Sequence, residues 1–127
     1  MKKVQFDTSQ SIAMHRASGE TVAPDEREPM AIEGWLVDDH VCVQMPVPQD
    51  DAGWRVSLYP WGYKISFDFF SKADAVEYAE DVSRLGIDWV AIYSVENFTE
   101  TSTFKAALAQ IIELRDAYDA NGYFQTR

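Results

Sequence analysis

The chain has 127 residues, 46% hydrophobic and 13% aromatic, and its 21 acidic against 11 basic residues give a formal net charge of −10. That length fits one domain with a continuous core, and the aromatic content excludes a wholly disordered chain. The acidic balance disfavours nucleic acid and anionic membranes, both polyanions held by Lys and Arg, and suits either solubility or a basic protein partner.

Cys42 is the only cysteine, so no intramolecular disulfide forms. The start, Met1-Lys2-Lys3-Val4-Gln5-Phe6-Asp7, has no apolar run behind its lysines and does not read as a signal peptide. No stretch approaches the roughly 18 apolar residues of a membrane span. Cytoplasmic residence is the resulting expectation.

Residues 1–29 read as an N-terminal arm, partly flexible. Val4-Gln5-Phe6 suits a short strand or an anchor, Thr8 to Arg16 a turn of helix, and the Gly- and Pro-containing stretch from Ala17 to Pro29 a loop. Residues 30–127 read as a single α+β domain. Ala31 to Val37 is a strand and Asp38-Asp39-His40 an acidic turn. Val41, Val43, Met45 and Val47 then alternate with polar or small residues, the period of a half-buried strand. Pro46 and Pro48 stop it.

Trp54 to Phe70 is the strongest segment. Trp54, Val56 and Leu58, and after Pro60-Trp61-Gly62 also Tyr63, Ile65, Phe67 and Phe69, occupy alternate positions of a hairpin with an aromatic inner face. Ser71 is a helix N-cap with Asp74 three residues on. Val76, Ala79, Val82 and Leu85 form the inner stripe of that helix, and Gly86 ends it. Ile87 to Tyr93, almost wholly apolar, predicts a strand covered on both faces. A second helix is predicted from about Thr101 to Ala120, with Phe104, Ala107, Leu108, Ile111, Leu114 or Arg115, and Tyr118 inward.

The order from residue 30 is therefore β-β-β-β-α-β-α. An antiparallel four- to five-stranded sheet is expected to carry both helices on one face. Trp54, Ile65, Phe67, Val82, Trp89 and Ile111 are expected in the shared core.

The run from Trp54-Arg55-Val56 through Gly62-Tyr63-Lys64-Ile65 to Phe70-Ser71-Lys72-Ala73-Asp74-Ala75-Val76-Glu77-Tyr78-Ala79 resembles the strand–turn–strand–helix unit of integrase arm-binding domains and their plant transcription-factor relatives. The resemblance covers about a quarter of the chain. In those families the outer sheet face carries Arg and Lys to DNA. The matching positions here are Arg55, Ser57, Tyr59, Lys64, Ser66 and Asp68, two cations and one anion amid many acids. DNA binding is therefore not carried across.

Catalytic signatures are sparse. Asp38-Asp39-His40-Val41-Cys42 holds three ligand types. It lacks the paired spacing of a zinc site, and as a Cys–His dyad it lacks an orienting group and an oxyanion hole. No G-x-G phosphate loop or G-x-S-x-G elbow occurs. Asp68 and Glu33 suit an acid pair across strands, but also two wet sheet positions. No catalytic residue, metal or cofactor is assigned.

Charge distribution is more distinctive. Between Ala17 and Trp54 there are nine acids and one cation, Arg27. Either these loops converge on one negative face or they stay separately solvated. Trp61 sits at a turn between Tyr59 and Tyr63, as an exposed anchor or folded over the sheet edge.

The resulting expectation is a non-enzymatic binding domain with no direct nucleic-acid or membrane contact. Glu26, Glu28, Asp38, Asp39, Asp50, Asp51, Tyr59, Trp61 and Tyr63 would face a basic protein surface, including that of a nucleic-acid-handling complex. Small acidic inhibitors of phages and mobile elements, such as anti-restriction and anti-CRISPR proteins, are similar in size and charge. The alternative is a small enzyme or ligand-binding domain with a pocket between sheet and helices, lined by Trp35, Tyr59, Tyr93 and Tyr118 with His40 or Cys42 reactive. A homo-dimer through a sheet edge or helix face also stays open.

Overall fold

A computed structural model of the chain describes residues 1–7, 31–46, 53–61 and 63–125. The helical turn expected over 8–16 and the loop over 17–29 lie outside these residues. Five strands, β1 (Lys2–Asp7), β2 (Ala31–Leu36), β3 (Val41–Gln44), β4 (Arg55–Leu58) and β5 (Tyr63–Lys64), form an antiparallel sheet in sequence order. Three helices follow, α1 (Lys72–Arg84), the single-turn α2 (Trp89–Tyr93) and α3 (Ser102–Ala120), with a short 3₁₀ turn at Phe98–Glu100. The α+β class holds.

The fifth strand is not at 87–93 but at the start of the sheet, where Val4-Gln5-Phe6 suits a short strand. It is β1, paired with β2 from Lys2↔Leu36 to Asp7↔Ala31 at the edge of the sheet. The segment 87–93, expected as a covered strand, is instead the turn of helix α2. Asp88 caps it, its Oδ1 accepting the Ala91 N–H at 3.1 Å. Trp89 and Ile92 face inward while Val90 is 52% exposed, a spacing of three that suits a helix and not a strand.

Local signals account for the other elements. Ser71 Oγ accepts the Asp74 N–H at 3.2 Å, and Thr101 Oγ1 accepts the Phe104 N–H at 3.2 Å. Each satisfies a donor that the helix start leaves free. Gly86 ends α1 with a φ of 67°, the left-handed conformation favoured by glycine. On α1 the buried residues are Ala75, Tyr78, Ala79 and Val82. Val76 and Leu85, expected inside, pack only at the margin. On α3 the buried residues are Phe104, Ala107, Ile111 and Tyr118, as their spacing predicts.

The helices cover one face of the sheet. Val41, Val43, Val56, Leu58, Tyr63 and Ile65 meet them there in one cluster with Phe69 and Tyr78. Trp54 and Phe67, expected in that core, pack against its rim. Met45, expected inward, is 42% exposed.

The hairpin after β4 is less regular than its alternation suggests. Ser57 pairs with Lys64, yet Trp54 bridges Phe69. The second arm thus holds two extra residues between these pairs, a bulge. Ser66 Oγ fills the resulting gap by accepting the Val56 N–H at 2.8 Å. Phe69 also bridges Phe124, which ties the end of the chain to the sheet.

Candidate functional site

Four of the expected contact residues, Glu26, Glu28, Asp50 and Asp51, lie outside the described residues. Of the other five, Asp38, Asp39, Tyr59 and Trp61 lie around His40 where the β2–β3 turn meets the turn after β4, while Tyr63 is buried. Asp38 closes the β2–β3 turn: its Oδ1 accepts the N–H groups of His40 and Val41, each at 2.8 Å, and its Oδ2 accepts the Ser83 hydroxyl. Burial alone would raise its pKa. The Ser83 bond, the two backbone N–H groups and nearby His40 outweigh that and hold it below the ordinary aspartate value. Asp39 is exposed beside it.

Tyr59 is half-buried against Val4 and Cys42. Trp61 folds back over the sheet edge, its ring 4.2 Å from Tyr93 and 5.2 Å from His40 between centroids. Tyr63 is 3% exposed and belongs to the core, because the alternation that places Ile65 inside places Tyr63 there too. These aromatics hold the fold together at that edge.

Of Trp35, Tyr59, Tyr93 and Tyr118, the residues expected to line a pocket, only Tyr93 borders the space between sheet and helices. The space between Leu58, Tyr63, Ile65, Trp89 and Ile111 leaves a cavity of about 10 Å³, at most the volume of one water. Cys42 is fully buried, and burial pushes its thiol up to about 12. His40 turns its Nδ1 to the Tyr59 carbonyl at 3.0 Å. Among the described residues, no three His, Cys, Asp or Glu side chains are grouped as metal ligands.

The sheet face that would carry cations to DNA is also closed along β3 and β4. Ser57 is fully buried, Ser66 nearly so, and Arg55 is 8% exposed. Arg55 Nε lies 2.6 Å from Asp68 Oδ1, and the Ser57 hydroxyl donates to Gln44 Oε1 at 2.7 Å. Arg55, Ser57 and Ser66 thus each have a partner inside the protein.

A different feature emerges on the helical layer. Asp74, Glu77 and Asp81 share one face of α1, at spacings of three and four. They line a groove of about 680 Å³ with Tyr118, Asn121, Gly122 and Tyr123 from the end of α3. Tyr118 joins its two walls: its hydroxyl donates to Asp81 Oδ2 at 2.5 Å, and its ring packs 4.7 Å from Tyr123. Burial, then the bond and charge of Asp81, raise the Tyr118 pKa above the ordinary tyrosine value. Arg84 reaches Asp81 at 2.6 Å and Glu80 at 3.6 Å. Among the described residues, no cation partners Asp74 or Glu77.

Along the sequence Asp74, Glu77 and Asp81 fall off the apolar stripe of α1. Their one-sided spacing was visible, but the approach of Tyr118 and Tyr123 depends on how α3 crosses α1. Comparison of the chain with family models, with curated proteins and with solved structures found no match. Among the described residues, no helix is long and apolar enough to cross a membrane.

Proposed function

We propose that this is a non-enzymatic acidic protein-binding domain that engages a basic partner surface through the α1–α3 groove. The observation that supports the reading is the pairing of Asp74 and Glu77, two carboxylates with no cation partner among the described residues, with Tyr123 across one groove. Carboxylates attract Lys or Arg at range. The half-buried Tyr123 offers a ring on which the aliphatic stem or planar head of such a side chain can lie, and the buried Tyr118 holds it in place. A partner that normally holds phosphates would present that chemistry, so the domain would compete with nucleic acid for it. The finer reading, an antagonist of the anti-restriction or anti-CRISPR kind, draws its support from size and charge alone.

Affinity capture from cell extract at low and high salt tests the proposal. A basic protein should bind at low salt, release at high salt, and be displaced by added duplex DNA. The Asp74→Asn, Glu77→Gln double variant should bind about tenfold more weakly, since each rim charge contributes modestly. Partners lacking any basic protein, or an affinity indifferent to salt, would overturn it.

A further inference from the structure

From the backbone register of β1 we propose that two copies of this chain pair through that strand, extending the five-stranded sheet into a continuous two-fold sheet. β1 is the terminal strand, and among the described residues it has a neighbour on one side only. Its outer N–H and C=O groups are thus a template for another strand.

Geometry restricts the register. In a two-fold antiparallel pair, opposed residues point to the same side of the sheet. The numbers of two opposed residues must therefore have the same parity. Pairing Lys3 with Asp7 satisfies this. It also sets Val4 opposite Phe6 and Gln5 opposite its own counterpart, so all five residues from 3 to 7 are paired. Each interface then holds two Lys3–Asp7 positions of opposite charge and two apolar pairs. Shifting by two residues toward the N-terminus sets Lys2 opposite Phe6 and Lys3 opposite Gln5, and both charge matches are lost.

A lysine on an edge strand ordinarily discourages pairing. Here one register turns it into an attraction, and the occupant with the matching acid is a second copy of the same strand. Lys3 is available for this: its side chain is 58% exposed and lies 3.4 Å from Glu33 within its own copy. The proposal is independent of the acidic groove.

Sedimentation of the full chain at rising concentration tests it. Wild type should show a reversible dimer that weakens with salt. Lys3→Glu and Asp7→Lys should each dimerise about tenfold more weakly, since both cross-strand pairs become repulsive. Mixed in equal amounts, these two variants should pair with each other about as well as wild type does, because every like-charged position then faces its opposite. A wild-type chain that stays monomeric up to about 1 mM would overturn the proposal. So would variants that dimerise as well as wild type, or a mixture of two folded variants that fails to recover. Should Lys3→Glu fail to fold beside Glu33, wild type against Asp7→Lys still decides.

Discussion

The Asp38 carboxylate and the Ser83 hydroxyl are hydrogen-bonded across 45 residues of sequence. The bond fastens the β2–β3 turn to the last turn of α1. The same carboxylate also gathers two backbone N–H groups of its own turn. An acid that reads as part of a contact surface is thereby a structural clamp.

Replacing Asp38 with Asn should lower stability by about 1–2 kcal/mol, the scale for losing charge-assisted bonds to partly buried donors. The pH dependence has a definite sign. The folded-state pKa lies below its ordinary value of 3.8, so the contribution is complete above that value and is lost as pH falls below it. Thermal melts from pH 7 toward pH 3 should therefore show a shallower decline for the variant than for wild type.

Gly53 should not tolerate a side chain. A Cβ there would run into the Phe69 carbonyl oxygen, the backbone to which Trp54 donates. Relief requires the strands to part where Phe69 also holds Phe124. Gly53→Ala should cost about 2 kcal/mol or more, read as a lower urea midpoint. A midpoint equal to wild type would show that the two strands separate there freely.

Alkali should unfold the protein cooperatively. Tyr78, Tyr93 and Tyr118 all have pKa values raised mainly by burial. Each favours the folded state at neutral pH, and the unfolded chain gains stability by ionising as pH passes the ordinary value of 10.0. Near-ultraviolet titration should show these three phenolates emerging together with loss of secondary structure. Gradual ionisation of all six tyrosines in a still-folded protein would contradict this.

The Cys42 thiol should be inert in the native state. It is fully buried, and reaction needs the thiolate, which burial disfavours. A thiol reagent at pH 8 should label it only as fast as the sheet opens, and at once in denaturant. Rapid native labelling would mean that the β3 region opens readily.

Much of the fold was legible in the sequence because its causes are local. The alternation of Val41 with Val43 and of Val56 with Leu58, the caps at Ser71 and Thr101, and the Phe104–Tyr118 stripe each depend on neighbours within a few residues. The failure at 87–93 has an equally local cause. A single helical turn is too short for its period to separate from the period of two, and Asp88 was the one signal of a helix start.

By itself the sequence determined the α+β class, the hairpin, the two long helices and the excess of negative charge, because patterning and caps act along the chain. Only the tertiary structure decided which charges matter to one another. It made Asp38 a clamp, paired Arg55 with Asp68 in a closed face and folded Trp61 onto Tyr93. It also brought Tyr118 and Tyr123 beside Asp74, Glu77 and Asp81. Those relations depend on helices crossing and strands bulging between residues distant in sequence, and no local pattern records how far such elements turn before they meet.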